Sequence, residues 1–305
     1  MTGLPKKSFR QLLPLLLPFL SLWVLFWVIP LLLGIDLSLQ SPNSGFLDPK
    51  LENIDYVGAE NYKRTLDDPK FYKALSNTFV YVVGSILCIL PLAFLLAMAL
   101  FECPRILRGI LAFCLLIPGL ALPGAMSKLF YLFFHGREGA LNQYLVIPLG
   151  FEPINWMMDP DFIMPSLIMQ SVWRWTGVVT FFFLCALEGI PKWHFEVAKL
   201  EGLSSLSRIW QILIPGVRKL AFFVAVFLTV DGVASFSGAY TLLGGSGGML
   251  DSGLLLVTYV YQVAFPGGSG RFDLPGAAAM SLLVAPMVAA FLFLVLKVRV
   301  LRIKG

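Results

Sequence analysis

The sequence predicts an all-α polytopic membrane protein with six transmembrane helices, both termini cytoplasmic, and a cytoplasmic helical elbow between the fourth and fifth. Three observations predict it. Of 305 residues, 58% are hydrophobic and only 13% charged, with a mean hydropathy of +0.81. A soluble domain carries about a quarter charged residues, and a disordered chain needs the reverse balance. Six apolar stretches, 12–35, 79–101, 109–134, 162–187, 220–243 and 274–296, are each long enough to cross a hydrocarbon core of about 30 Å. Basic residues gather in alternate loops. The chain 1–305 is thus expected to be one membrane domain, with an outside segment 36–78 and a cytoplasmic loop 190–215.

Each stretch is read as a helix because lipid supplies no partner for an open backbone group. The first follows Lys6, Lys7 and Arg10, as a signal peptide would. Its length, its prolines 14, 18 and 30, and the lack of a small-x-small cleavage site favour an uncleaved span. The outside segment holds a turn at 42–45 and an amphipathic stretch, 60–75. A seventh run, 254–265, lies between glycine-rich stretches 244–253 and 267–270. It is too short to span and is expected to be interfacial or re-entrant.

The N-terminus, residues 102–108, residues 188–219 and the tail after Leu296 hold 14 Lys and Arg against four acids, whereas the opposite loops hold 13 acids and are net acidic. The positive-inside rule puts the first set in the cytoplasm. The net charge of +5 then reports topology and contact with lipid phosphates, without calling for nucleic acid.

Three charges fall within spans: Lys128, Arg174 and Asp231. A charge at mid-membrane costs at least about 2.5 kcal/mol and usually faces a bundle interior. Lys128, nearer an outer end, is expected to snorkel. Arg174 and Asp231, near the midpoints of the fourth and fifth spans, are expected to approach each other or share water. They form either part of a translocation cavity or a purely structural pair. Trp173 and Trp175 flank Arg174, Gln170 and Ser171 lie one turn before it, and Ser235 and Tyr240 follow Asp231. These eight residues are the candidate substrate path, although tryptophans also serve as interfacial belts.

Other chemistry is poorly represented. No Gly-x4-Gly-Lys-Ser/Thr loop is present, so ATP binding by this chain is not expected. Residues 244–248 match Gly-x-Ser-x-Gly, but without the strand-turn-helix setting and His partner that a nucleophile elbow needs. Two histidines, His135 and His194, and the scattered cysteines 88, 103, 114 and 185 make neither a zinc spacing nor a disulfide framework. Neither a catalytic nor a metal site is expected.

The loop 190–215 reads IPKWHFEVAKLEGLSSLSRIWQILIP. Pro191 suits a helix start, Gly202 breaks the pattern, Ser204 and Ser205 offer caps for a second helix, and Pro215 is expected to end it. Glu196-Val197-Ala198, three residues, Gly202, nine residues, Ile212, one residue, Ile214-Pro215 closely resembles the "EAA" signature of membrane (permease) subunits of binding-protein-dependent ABC importers. Val197 for Ala and Ile214 for Leu are conservative departures. Further segments resemble the carbohydrate-uptake branch: 57–62, 68–71, 74–78, Ile117-Pro118, 154–156, 172–176 and Ala264-Phe265. Together they extend over most of the chain. It is similar to the maltose transporter's larger membrane subunit, without that protein's extra N-terminal spans and large outside domain. The run Gly244-Gly245-Ser246-Gly247-Gly248 departs from the usual Gly-Gly followed by Pro.

The resemblance implies that the loop carries a coupling helix, in which Glu196, Ala198, Gly202, Ile212 and Pro215 serve docking to an ATPase. It implies that spans four and five line a sugar path. The implied partners are a second homologous permease, two cytoplasmic ATPase subunits that hold ATP and Mg, an extracytoplasmic solute-binding protein and membrane lipid, in the cytoplasmic membrane of a prokaryote. An ion-coupled secondary carrier for a small polar solute remains the alternative; it would show paired membrane acids or repeats, and only Asp231 qualifies.

Overall fold

The computed structural model describes residues 9–42, 55–265 and 272–303, and these are helical with one isolated antiparallel bridge, Gln40–Tyr56. Lys6, Lys7, most of the turn at 42–45, the glycines at 267–270 and Lys304 lie outside the described residues. In chain order the helices are α1 (Phe9–Trp23), α2 (Ile29–Ser38), α3 (Glu60–Leu66), α4 (Pro69–Glu102), α5 (Arg105–Leu120), α6 (Pro123–Phe133), α7 (Pro160–Glu188), α8 (Lys192–Leu200), α9 (Ser205–Arg208), α10 (Ile214–Val233), α11 (Ser237–Leu242), α12 (Leu256–Ala264) and α13 (Leu274–Ile303).

Among the described residues, four continuous helices are long and apolar enough to cross a membrane: Leu16–Ser38, Pro69–Glu102, Pro160–Glu188 and Ser205–Val233. The expected third span is instead a bent pair, α5 and α6, turning by 96°. The bend falls at Ala121-Leu122, where Pro123 forces Leu122 into an extended conformation. The expected fifth span is also broken. It starts earlier, at Ser205, and stops at Val233; Ala234–Phe236 are not helical, and α11 adds six residues beyond. Asp231 therefore sits in the last turn of α10, not at mid-span. The amphipathic stretch 60–75 divides between α3 and α4 at Asp67-Asp68, with Pro69 opening α4. At 34 residues α4 is about 51 Å long, more than a bilayer core requires. The short seventh run becomes the nine-residue α12.

Pro215 does not end a helix. Among the described residues three five-residue π turns occur, Val24–Val28, Asn142–Val146 and Ile209–Leu213, and each is followed by Ile-Pro. In each, the Ile N–H (Ile29, Ile147, Ile214) bonds to the carbonyl five residues back. Proline lacks an N–H and its ring collides with the carbonyl four residues back. The wider π turn moves that carbonyl away, so Ser205–Val233 continues through Pro215.

The chain divides into two compact units. In the first, Met1–Asp68 with Val260–Ala290, no residue from Leu16 to Leu37 is buried. A helix apolar on all sides and exposed on all sides needs lipid or other helices around it. Beyond it, the buried Asn61 donates to the carbonyls of Ser38 and Gln40, both at 2.8 Å. Tyr56 donates to Asp36 at 3.1 Å, and that hydrogen bond, with the like charge of the carboxylate, raises the phenol's pKa. Arg64 pairs with Asp273 at 2.7 Å, and Asp273 caps α13 by accepting from Gly276.

The second unit, Pro69–Tyr259 with Phe291–Gly305, holds two apolar clusters. One stacks Ile89, Ala93, Ala97 and Leu100 of α4 against Val179, Phe183 and Leu187 of α7 and Val217, Val224 and Leu228 of α10. The i, i+4, i+8, i+11 spacing on α4 is one helix face. Glycines let α5 meet α7: a Cβ on Gly177 would lie 1.6 Å from the Leu115 carbonyl oxygen, and one on Gly119 2.4 Å from Val178. Asn142, fully buried, holds the polar turn after α6 together. It donates to the carbonyls of Gly136 and Ile154 and accepts from the Trp156 indole at 3.0 Å. Asn77 donates to the carbonyls of Asp251 and Leu254, and Thr78 accepts from the Leu256 N–H, capping α12.

Gly177→Ala pushes a methyl group into rigid backbone. It is expected to lower stability by at least about 2 kcal/mol, seen as a reduced melting temperature in detergent, whereas Gly109→Ala within α5, where nothing lies within 4 Å, does not lower it.

Candidate functional site

Both helix breaks open onto one cavity of about 220 Å³. Tyr81 of α4, Pro123 and Met126 at the start of α6, residues 170–175 of α7 except Val172, Asp231, and the segment 234–238 line it. Seven of the eight residues expected on the substrate path are there: Gln170, Ser171, Trp173, Arg174, Trp175, Asp231 and Ser235. Tyr240 is not; it packs on Phe236 with ring centroids 4.9 Å apart.

Arg174 and Asp231 share this cavity without an ion pair between them. The Trp175 indole stands between. Its Nε1–H donates to Asp231 Oδ2 at 2.8 Å, and its ring lies 4.9 Å from the Arg174 guanidinium carbon. Of the two expected arrangements, a close pair or a shared cavity, the shared cavity is present and the close ion pair is not: neighbours one apart on α7 put Arg174 and Trp175 about 100° apart on the helix, and the larger ring fills the space towards α10. The Nε of Arg174 is shut off from solvent and has no partner. Around them, Gln170 donates to Ser127 at 2.8 Å, and Ser235 donates to Tyr81 at 3.4 Å. A cavity with one cation, one acid, four aromatic side chains and several hydroxyl and amide groups can bind a polar solute that also has flat apolar faces.

Tyr81, Met126 and Phe236 were not evident from spacing, because α4, α6 and the link 234–236 carry no charge at those positions. The signal that could have found them is the pair of breaks: Pro123, and the small residues around 232–238, where a helix has little propensity to continue.

At the other end of α7, Gly189-Ile190-Pro191 turns the chain into α8. Glu196 is exposed and Ala198 buried. Gly202 N–H bonds to the Lys199 carbonyl and Leu203 N–H to that of Ala198, a Schellman motif. Gly202 has φ +70° with nothing within 4 Å of an added Cβ. The glycine therefore serves the left-handed turn, not a close approach within this chain. Ser204 then caps α9 by accepting from Ser207 N–H at 3.3 Å. Ile212 is half-buried in the π turn and Pro215 exposed after it. Trp193, Val197 and Leu200, spaced i, i+4, i+7, stand exposed, Leu200 at 88%. Exposed apolar side chains on one helix face mark a surface suited to contact with another protein or with lipid.

The family described as "Binding-protein-dependent transport system inner membrane component" matches residues 89–301. The chain belongs to this family. As a family member it is a multi-pass membrane protein. Among relatives, the lactose transport system permease protein of Rhizobium radiobacter is 30% identical over 91% of this chain and 90% of its own. The trehalose/maltose transport system permease protein of Thermococcus litoralis is 28% identical over 93% and 92%. A chain of a bacterial ABC transporter involved in the import of the acidic polysaccharide alginate shares the fold, with a TM-score of 0.78 and 19% identity over 95% of this chain and 94% of that one. Among the described residues no group of three metal-ligating side chains forms, and Gly244, Gly245 and Gly248 serve positive-φ turns.

Trp175→Phe keeps a ring beneath Arg174 and removes the donor to Asp231. The melting temperature in detergent is expected to fall by the equivalent of about 1 kcal/mol, the low end for a half-buried acceptor left without its partner. Adding Asp231→Leu should recover most of it; no fall in the single variant would show that the bond contributes nothing.

Proposed function

We propose that this chain is one of two homologous permease subunits of an ABC importer for a sugar or oligosaccharide, in the cytoplasmic membrane of a prokaryote. Six membrane crossings are inferred. The bent pair α5–α6, and α10 with α11, each count as one, and α13 supplies the last, with both termini inside. The observation that carries the reading is the elbow. Within a chain of this family, α8 ends in a left-handed turn at Gly202 and leaves an apolar stripe exposed.

α8 is the coupling helix. Glu196, Ala198, Gly202, Ile212 and Pro215 shape it and the turn behind it, and the stripe of Trp193, Val197 and Leu200 docks on one of two ATPase subunits. Those subunits hold ATP and Mg; this chain binds neither and is not itself an enzyme. α7 runs from the elbow to the cavity, so a rigid-body push on α8 arrives at Arg174 and Trp175. An outside binding protein delivers substrate; the solved alginate transporter was captured with such a protein. ATP and the loaded binding protein bias a two-state equilibrium between inward and outward openings of the cavity. Gln170, Ser171, Trp173, Arg174, Trp175, Asp231 and Ser235 contact the passing sugar, with Tyr240 behind Phe236. Stacking on the rings and hydrogen bonds to the hydroxyl and amide groups suit a carbohydrate.

Gly202→Asp is the direct test. The left-handed turn tolerates Asp better than most residues, so the chain should insert and fold. An added side chain and charge on the docking surface should abolish co-purification of the ATPase and uptake of labelled lactose, trehalose or arabinooligosaccharides, the sugars of its relatives. Wild-type uptake by the variant, or transport by this chain alone, would reject the reading.

A further inference from the structure

The corner that joins α7 to α8 is held from outside by a residue that the proposed function leaves idle. Arg108, in the first turn of α5, pairs through Nη1 with Glu188, the last residue of α7. Its Nη2 donates to the carbonyls of Phe101 at 3.1 Å and Cys103 at 3.0 Å, which belong to the end of α4 and the link that follows. Its guanidinium lies 5.9 Å from the centre of the Phe101 ring. That ring meets Phe195 of α8, with centroids 6.0 Å apart. One side chain thus gathers the end of α4, the start of α5 and the end of α7, and through Phe101 it touches the elbow. Glu188 and Phe195 stand on opposite sides of the Gly189–Pro191 corner, so the clamp brackets the point where a force on α8 would enter the bundle.

We infer that Arg108 is a positioning residue for energy coupling: it makes the α7–α8 corner stiff, so that displacement of α8 moves α4 and α5 together with α7 instead of bending the corner. The inference rests on the ABC-importer reading. The geometry supports stiffness more than bare stability. A partly exposed ion pair contributes little to folding, yet this guanidinium spends its two terminal nitrogens on three separate segments. A loose corner would let the ATPase cycle without moving the cavity.

The test needs no sugar. The complex with its ATPase subunits is purified in a background lacking the four cysteines, with Ser237→Cys on the cavity wall. The rate of labelling by a maleimide is measured with and without ATP, Mg and vanadate, beside ATP hydrolysis. With Arg108 intact, nucleotide is expected to change the labelling rate about tenfold. In Arg108→Gln and in Glu188→Gln, hydrolysis should stay within about twofold and the ATPase should still co-purify, while the nucleotide-driven change shrinks to about twofold or less. The swapped pair Arg108→Glu with Glu188→Arg should recover about half of the lost response. Should Arg108→Gln fail to insert, Glu188→Gln, which leaves the two carbonyl bonds, decides alone. An unchanged response, or hydrolysis, assembly and response declining in parallel, overturns the inference. Absence of a co-purifying ATPase with Arg108 intact is a different failure: it removes the importer reading itself.

Discussion

Every interruption of a helix within lipid must find partners for the backbone groups it frees, and this constraint organises the second compact unit. Both interruptions there, Ala121-Leu122 and Ala234–Phe236, lie against α7. α7 is the helix best able to receive them: long and continuous, half-buried over its apolar window, with polar side chains at Gln170, Ser171 and Thr176 facing inward. Broken backbone is tolerated in a membrane where it lines a cavity, and the cavity is where the breaks meet. Close packing of α5 on α7 through Gly119 and Gly177 keeps the first break in place.

Much of this could be read from residues alone. The charge asymmetry, the apolar stretches and the Glu196–Gly202–Pro215 spacing are local, and each reports one physical requirement. The elbow was the most legible, because a helix, a left-handed turn and a serine cap each have a residue signature within ten positions. The cavity was legible in its polar lining on α7 and α10, since a charge in an apolar run is rare enough to stand out. The helix breaks were not legible in hydropathy; only Pro123 and the small residues around 232–238 carry a signal for them. A window average cannot distinguish a straight span from one bent by 96°. Nor could spacing show Trp175 between Arg174 and Asp231, since that depends on which rotamer the ring adopts against α10.

Pro215 shows why a rule valid for isolated helices can fail. Three Ile-Pro steps follow three π turns, in segments with otherwise unlike sequences. One lies in the apolar first span, one in the polar turn held by Asn142, and one at the entry of α10. The common cause is steric: an extra residue in the turn before proline removes the collision that would end the helix. At 209–215 the consequence is that the elbow and α10 form one rod from Ser205 to Val233. A stop at Pro215 would have put a hinge between the elbow and the cavity. The π turn keeps the connection while preserving the exposed proline of the signature.

The same economy of motion explains the placing of Asp231. A carboxylate in the last turn of a helix faces the negative end of the helix dipole, an unfavourable position. Nothing in packing demands an acid there, and an apolar residue would suit both lipid and dipole. What offsets the placement is the Trp175 indole N–H. A direct salt bridge to Arg174 would have neutralised both charges and closed the cavity between α7 and α10. With the indole in between, Asp231 is satisfied on one oxygen, and Arg174 keeps hydrogen-bonding capacity towards the cavity. A transport site needs this condition: groups held in position by the protein yet incompletely satisfied by it, so that a passing solute gains bonds on entering and the protein loses none when the solute leaves.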